Sequence, residues 1–87
     1  MRTVTQEQIT NIMDNAEYQV FHRVFGKQCI VAAKLENGFT IVGESACVDP
    51  DIYQEDIGEE LAKKQIENKL WELEGYLLQN IIDNKED

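Results

Sequence analysis

The segment Phe39-Thr-Ile-Val-Gly-Glu-Ser-Ala-Cys-Val-Asp-Pro-Asp51 divides the chain into two regimes. Its first half is β-branched and alternates, the pattern of a strand with one buried face. Its second half stops that strand at Asp49-Pro50, because Asp is a preferred N-cap and Pro is favoured at the first helical position. Residues upstream of the segment read as strands that pair with it. Residues downstream read as the helix that covers them.

Two turn signals lie upstream. Asn37-Gly38 is a strong short hairpin signal, and Gly26-Lys27 suits a two-residue turn with Gly at its first central position. They separate runs rich in Val, Ile and Phe, so strands are expected over 17–25, 28–36 and 39–47 as a three-stranded antiparallel meander. Two-residue loops would set Phe25 opposite Gln28, Arg23 opposite Ile30, Phe21 opposite Ala32, Val31 opposite Glu44 and Cys29 opposite Ala46. Tyr18, Val20, His22, Val31, Ala33, Val42 and Ala46 then share one face. Phe21, Arg23, Phe25, Ile30, Lys34, Phe39, Ile41, Gly43 and Ser45 share the other. An antiparallel sheet with one wet side should alternate cleanly between apolar and polar residues; in this register both faces are apolar and both need a cover.

The flanks read as helices. Thr5 with Gln8 forms a capping-box pattern ahead of Ile9, Ile12 and Met13, predicting a short helix over 5–15. Downstream, a helical region is expected over 50–83, with Gly58 as a break before a long helix from Glu59. Ile66, Leu70, Leu73, Leu77 and Ile81 make one stripe, with Leu61 as an earlier member. Trp71, Leu78 and Ile82 make a second, interrupted by Gly75. This apolar surface is wider than docking on one sheet requires. About 25 helical residues span roughly 37 Å, more than the roughly 30 Å diameter of a compact domain of this size, so the helix should overhang. Residues 84–87 read as a solvated tail. The expected fold class is α+β, in a single domain.

Composition narrows function. At 87 residues, the chain can build only a small core, and such chains are often supplemented by disulfides, metal or self-association. Cys29 and Cys47 have no repeated spacing, the N-terminal residues lack an apolar signal core, and His22 has no ligand partner nearby. No metal or cofactor is expected, and self-association is, most simply as a two-fold dimer. A net charge of −9 speaks against nucleic acid and anionic membranes as partners. No apolar run reaches the length of a bilayer span.

Three kinds of site can be weighed. His22 and Glu44, flanking Val31 in the expected register, would form a hydrolase pair, but no nucleophile joins them, so no catalytic residue is assigned. Phe21, Arg23, Lys34, Phe39 and Ser45 on the second sheet face offer aromatics and cations over small residues, a surface that could hold a nucleotide-type signal molecule between subunits. The plainer reading makes that face, with Phe25 and Ile41, an interface between copies, joined by Trp71, Gly75, Leu78 and Ile82 on the helix. The acids from Asp49 to Asp56 lack the spacing of a calcium loop and read as capping residues.

His22-Arg-Val-Phe25, Asn37-Gly-Phe-Thr-Ile-Val-Gly-Glu-Ser-Ala-Cys-Val-Asp-Pro50 and Lys69-Leu-Trp-Glu-Leu-Glu-Gly-Tyr-Leu-Leu78 together resemble a family of small phage and prophage proteins named after gene products forty-nine and sixty-six of two enterobacterial podoviruses. The similarity covers about residues 5 to 80. It implies an accessory protein made in a bacterial cytoplasm, and it supplies no catalytic residues. The leading expectation is a non-enzymatic homo-oligomer that disables a host defence factor by stoichiometric binding. A sponge for a nucleotide-type immune signal is the alternative.

Overall fold

Thr5 opens the first helix, its hydroxyl accepting the Gln8 N–H at 3.2 Å. The reciprocal half of the capping box is not made, because the Gln8 side chain donates instead to Glu74 at 3.3 Å. The computed structural model describes residues 3–86. It contains α1 (Gln6–Asp14), β1 (Glu17–Val24), β2 (Gln28–Lys34), β3 (Thr40–Ala46), a 3-10 turn at Pro50–Ile52 and α2 (Glu55–Glu86). The strands form one antiparallel sheet in the order β1-β2-β3, so the expected α+β meander between a short and a long helix is the fold.

Both expected registers need correction. At Asn37-Gly38 the loop holds three residues, closed by the Leu35 N–H donating to the Phe39 carbonyl at 2.8 Å. Gly38 takes the left-handed position, with φ 92°, as in hairpin loops built from a turn plus one such residue. The pairing becomes Val31 with Gly43 and Cys29 with Ser45. A slip of one residue turns every β3 side chain over. Ile41, Gly43 and Ser45 face the core, and Val42, Glu44 and Ala46 face outward. In the first hairpin Phe25 joins the loop, and His22 and Arg23 bulge opposite Cys29, so that Phe21 pairs with Ile30 and Val24 with Gln28. This shift is even up to the bulge, and Tyr18 and Val20 keep their expected face. The outer face carries Glu17, Gln19, Lys34, Thr40 and Glu44 among its apolar residues, so it is a mixed surface, not a second core.

The Asp49-Pro50 corner caps the 3-10 turn: the Asp49 carboxylate accepts the Asp51 N–H at 2.9 Å. The long helix starts at Glu55 and passes through Gly58 without the expected break, and it continues beyond 83 to Glu86. Of the tail read as solvated, Asp87 lies outside the described residues. Gly58 is required by packing, because a Cβ there would stand 3.0 Å from the Tyr53 hydroxyl and 3.3 Å from the Cys29 Cβ.

Gly58, Ala62, Ile66 and Leu70, four apart along one side of α2, are buried against Cys29, Val31, Ala33 and Ile41, and Ile9 of α1 closes the core. Gly43 sits beneath this stripe. A Cβ there would overlap the Ala62 carbonyl oxygen and stand 2.9 Å from Ile66 Cγ1. The same helix covers the middle of the free edge of β3, where Gln65 accepts the Glu44 N–H at 2.9 Å and Lys69 donates to the Val42 carbonyl at 2.6 Å. Covering an edge in this way blocks a further strand from pairing there.

At 32 residues α2 is about 48 Å long, and the molecule measures 56 × 22 × 19 Å. Its radius of gyration of 15.7 Å exceeds the roughly 12 Å of a compact chain of this length. The helix overhangs its sheet.

Gly43→Ala should destabilise the fold by about 3 kcal/mol, since helix backbone must move to admit the methyl group. Gly75 has no neighbour within 4 Å of an added Cβ, and Gly75→Ala should stabilise by about 0.8 kcal/mol through helix propensity. Urea unfolding midpoints at constant slope would read both.

Candidate functional site

Beyond the sheet, α2 divides into two sides. Trp71, Leu78 and Ile82 are half-buried; Trp71 packs against the core, and Leu78 lines a cleft with Val4 and Gln8. The stripe that docks on the sheet is bare once the sheet ends: Leu70 is 2 % exposed, Leu73 40 % and Leu77 52 %. The first stripe docks through Ile66 and Leu70 as expected, but along the overhang it is the bare one, because Val4 and Gln8 lie against the second stripe at Leu78.

Leu70, Leu73 and Leu77 form one wall of a groove of about 430 Å³. Ile12 of α1 and Leu35 and Phe39 of the β2–β3 hairpin form the other, and Glu36, Asn37 and Glu74 stand at its rim. The three-residue hairpin loop builds this wall, because it carries Phe39 to the core side of the sheet, where its ring is 52 % exposed. The groove can take an apolar side chain or one face of a helix, bordered by acids. Sequence reasoning found Phe39 and the leucines but did not join them, since the junction depends on the register.

The expected nucleotide surface is not assembled. Phe21 and Lys34 lie on the outer face, whereas Phe39 and Ser45 lie on the inner one. The Ser45 hydroxyl donates to the Gly58 carbonyl at 2.6 Å. Arg23, at the bulge with φ 57°, pairs with Glu55 at 3.3 Å and lies over the Tyr53 ring at 5.2 Å. Of the expected interface residues, Ile41 belongs to the buried core and Phe25 projects from the hairpin tip at 88 % exposure. Gly75 is half-buried, like Trp71, Leu78 and Ile82.

His22 and Glu44 fall on opposite faces, so the hydrolase pair read from the sequence does not exist. Glu44 instead accepts from Gln28 at 3.2 Å. His22 shares a hydrogen bond with the Tyr53 hydroxyl at 3.2 Å and lies 3.5 Å from Glu59, which pairs with Lys63 at 2.8 Å. Lys63 in turn lies 4.8 Å from the Tyr18 ring centroid. The Lys63 ammonium, joined by His22, holds the Glu59 carboxyl below its ordinary range. Burial, then the adjacent Cys29 thiol, push the Tyr53 phenol up. These contacts fasten the bulged end of β1 to the start of α2. Both cysteines are free: Cys29 is buried, and the Cys47 thiol donates to the Asp49 carbonyl at 3.2 Å.

Among the described residues no helix is long and apolar enough to cross a membrane, and no three His, Cys, Asp or Glu side chains converge as metal ligands. Residues 4–82 match the model of the Phage protein (N4 Gp49/phage Sf6 gene 66) family. No curated protein and no solved structure matches the chain.

The Tyr53 contacts carry a pH signature. A phenol raised by folding contributes stability that is full below the unfolded value of about 10 and is lost as pH rises through the folded value. Ultraviolet titration should show phenolic ionisation delayed past that of free tyrosine, and Tyr53→Phe should shrink the delayed fraction. The Glu59 contribution has the opposite sign: present above the unfolded carboxyl value, it is lost as pH falls through the lowered folded one.

Proposed function

The chain belongs to this phage protein family, and we propose that it is a non-enzymatic accessory protein that self-associates and disables a host factor by binding it. The observation that carries this reading is the apolar groove with its exposed leucine stripe. Contiguous apolar surface left bare on a small domain marks a contact with a partner. Leu73 and Leu77, one helical turn apart and half exposed, supply apolar contacts that an amphipathic partner helix could cover. The catalytic alternative has lost its geometry with the separation of His22 from Glu44. No observation favours the nucleotide reading, whose five residues are spread over both sheet faces.

Binding of this kind acts by amount, so host inhibition should rise with the ratio of this protein to its target and saturate. Leu77→Asp places a charge in the groove wall at a position already half exposed, with little effect on folding. Purified from host extract, the wild type should retain one host protein in fixed stoichiometry and Leu77→Asp should not, while Phe25→Ser at the remote hairpin tip should behave as wild type. Undiminished inhibition by Leu77→Asp, or inhibition at far less than stoichiometric amounts, would overturn the reading.

A further inference from the structure

Two features of the groove bear on what can fill it. The first is the backbone of its walls. The Leu35 N–H donates to the Phe39 carbonyl and the Gly38 N–H to the Leu35 carbonyl, at 2.8 and 2.9 Å. The Asn37 side chain accepts the Phe39 N–H at 3.0 Å. The opposite wall, from Leu70 to Leu77, lies inside α2, whose backbone groups bond along the helix itself. Neither wall presents a row of free N–H and C=O groups to which an extended strand could pair. An occupant has to satisfy its own backbone, and a helix does so.

The second feature is charge. Glu36 and Glu74 stand at the rim, and no Lys or Arg lines the groove. Glu72 borders an adjoining hollow that shares Phe39 and Leu73 with the groove, and the Lys69 of that hollow is held on the Val42 carbonyl. From Leu70 to Asn84 the helix carries Glu72, Glu74 and Asp83 and no base, and α1 carries Glu7 and Asp14 and no base. The ion pairs among the described residues all use carboxylates earlier in α2, those of Glu55, Glu59 and Glu67. Glu36, Glu72 and Glu74 enter none of them. The bare leucines thus lie in a field of uncompensated negative charge, which draws cations to them.

We propose that the groove takes a basic amphipathic helix of a partner protein. Its apolar side would lie on Phe39, Leu73 and Leu77, and its Lys or Arg side chains would face Glu36, Glu72 and Glu74. The proposal rests on the groove reading given above and adds the chemistry of the partner. Apolar residues at every third or fourth position with cations on the flanks match such a surface. Complementary charge of this kind speeds encounter and rejects acidic partners more than it raises affinity. A second copy of this chain fits the groove poorly, because its own bare stripe would bring Glu72 and Glu74 against the same acids.

A labelled synthetic peptide of about 18 residues, with Leu at helical spacing and Lys on both flanks, tests the proposal by fluorescence anisotropy against the full chain. It should bind with a dissociation constant on the order of 10 μM. It should also gain helical dichroism on binding, since so short a helix is marginal when free. The same residues in scrambled order keep the charge but lose the apolar side, and they should bind at least about tenfold more weakly. So should the peptide with Glu in place of Lys. Leu77→Asp should lose at least about tenfold although it adds a negative charge, which separates recognition by the groove from mere attraction to an acidic protein. Glu36→Lys, at an exposed side chain, and Glu36→Lys with Glu74→Lys should weaken binding in that order, and added salt should weaken the wild type by screening. Failure of the Lys-bearing peptide to bind, equal binding of either control peptide, undiminished binding by Leu77→Asp, or a bound peptide without helix would each overturn the proposal. A wild-type dimer in sedimentation that Leu77→Asp splits would seat a second copy in the groove and overturn it too. A host protein that the wild type and the double Lys variant both retain, and Leu77→Asp loses, would refute the basic helix and leave the groove reading standing.

Discussion

The close approach of α2 to β3 at Gly43 is the constraint on which the rest of the molecule depends. With the Ala62 carbonyl occupying the space that a side chain at position 43 would need, helix and strand touch backbone to backbone. The helix meets this surface with small residues where it is most crowded, Gly58 against Tyr53 and Cys29 and Ala62 over Gly43, and the missing side chain of Gly43 leaves room for Ile66. The same placement brings Gln65 and Lys69 within reach of the β3 edge. Among the described residues nine buried apolar ones form the core, and a core so small depends on close contact of this kind to exclude water.

Much of this architecture is written locally. The Thr5 cap, the alternation of the strands and the Asp49-Pro50 corner each act over a few residues, and each appears where local chemistry puts it. The register is different. Asn37-Gly38 fits a two-residue loop and equally fits the last two positions of a three-residue one, and only the packing of β3 against α2 selects between them. The selecting residue is visible in the sequence: glycine inside a strand signals the approach of another backbone, and with Gly43 turned inward the pairing with Val31 results. The turn signal taken alone sends Ile41 and Gly43 outward and makes a mixed face look like a second core.

The groove and the His22 contacts are illegible in the sequence for a related reason. Phe39 and Leu73 are far apart in the chain and meet only if the hairpin loop has three residues. His22, Tyr53 and Glu59 come from a bulged strand, the residue after a 3-10 turn and a helix, and no spacing rule links them. The overhang, by contrast, can be counted, because helix length and domain size are both set by residue number. Composition thus foretells that apolar surface will be left over, and the fold decides where.

The overhang also divides α2 into two kinds of backbone. From Gly58 to Leu70 its hydrogen bonds lie beneath a sheet and can exchange their protons only when helix and sheet part. Past Leu77 no strand lies over them, and Thr3, Val4 and Gln8 line one side only as far as Ile81, so they can open by fraying from the end. A ligand laid along the leucine stripe would therefore be felt most strongly in the amides of that distal half, where slowed deuterium uptake would trace its footprint residue by residue.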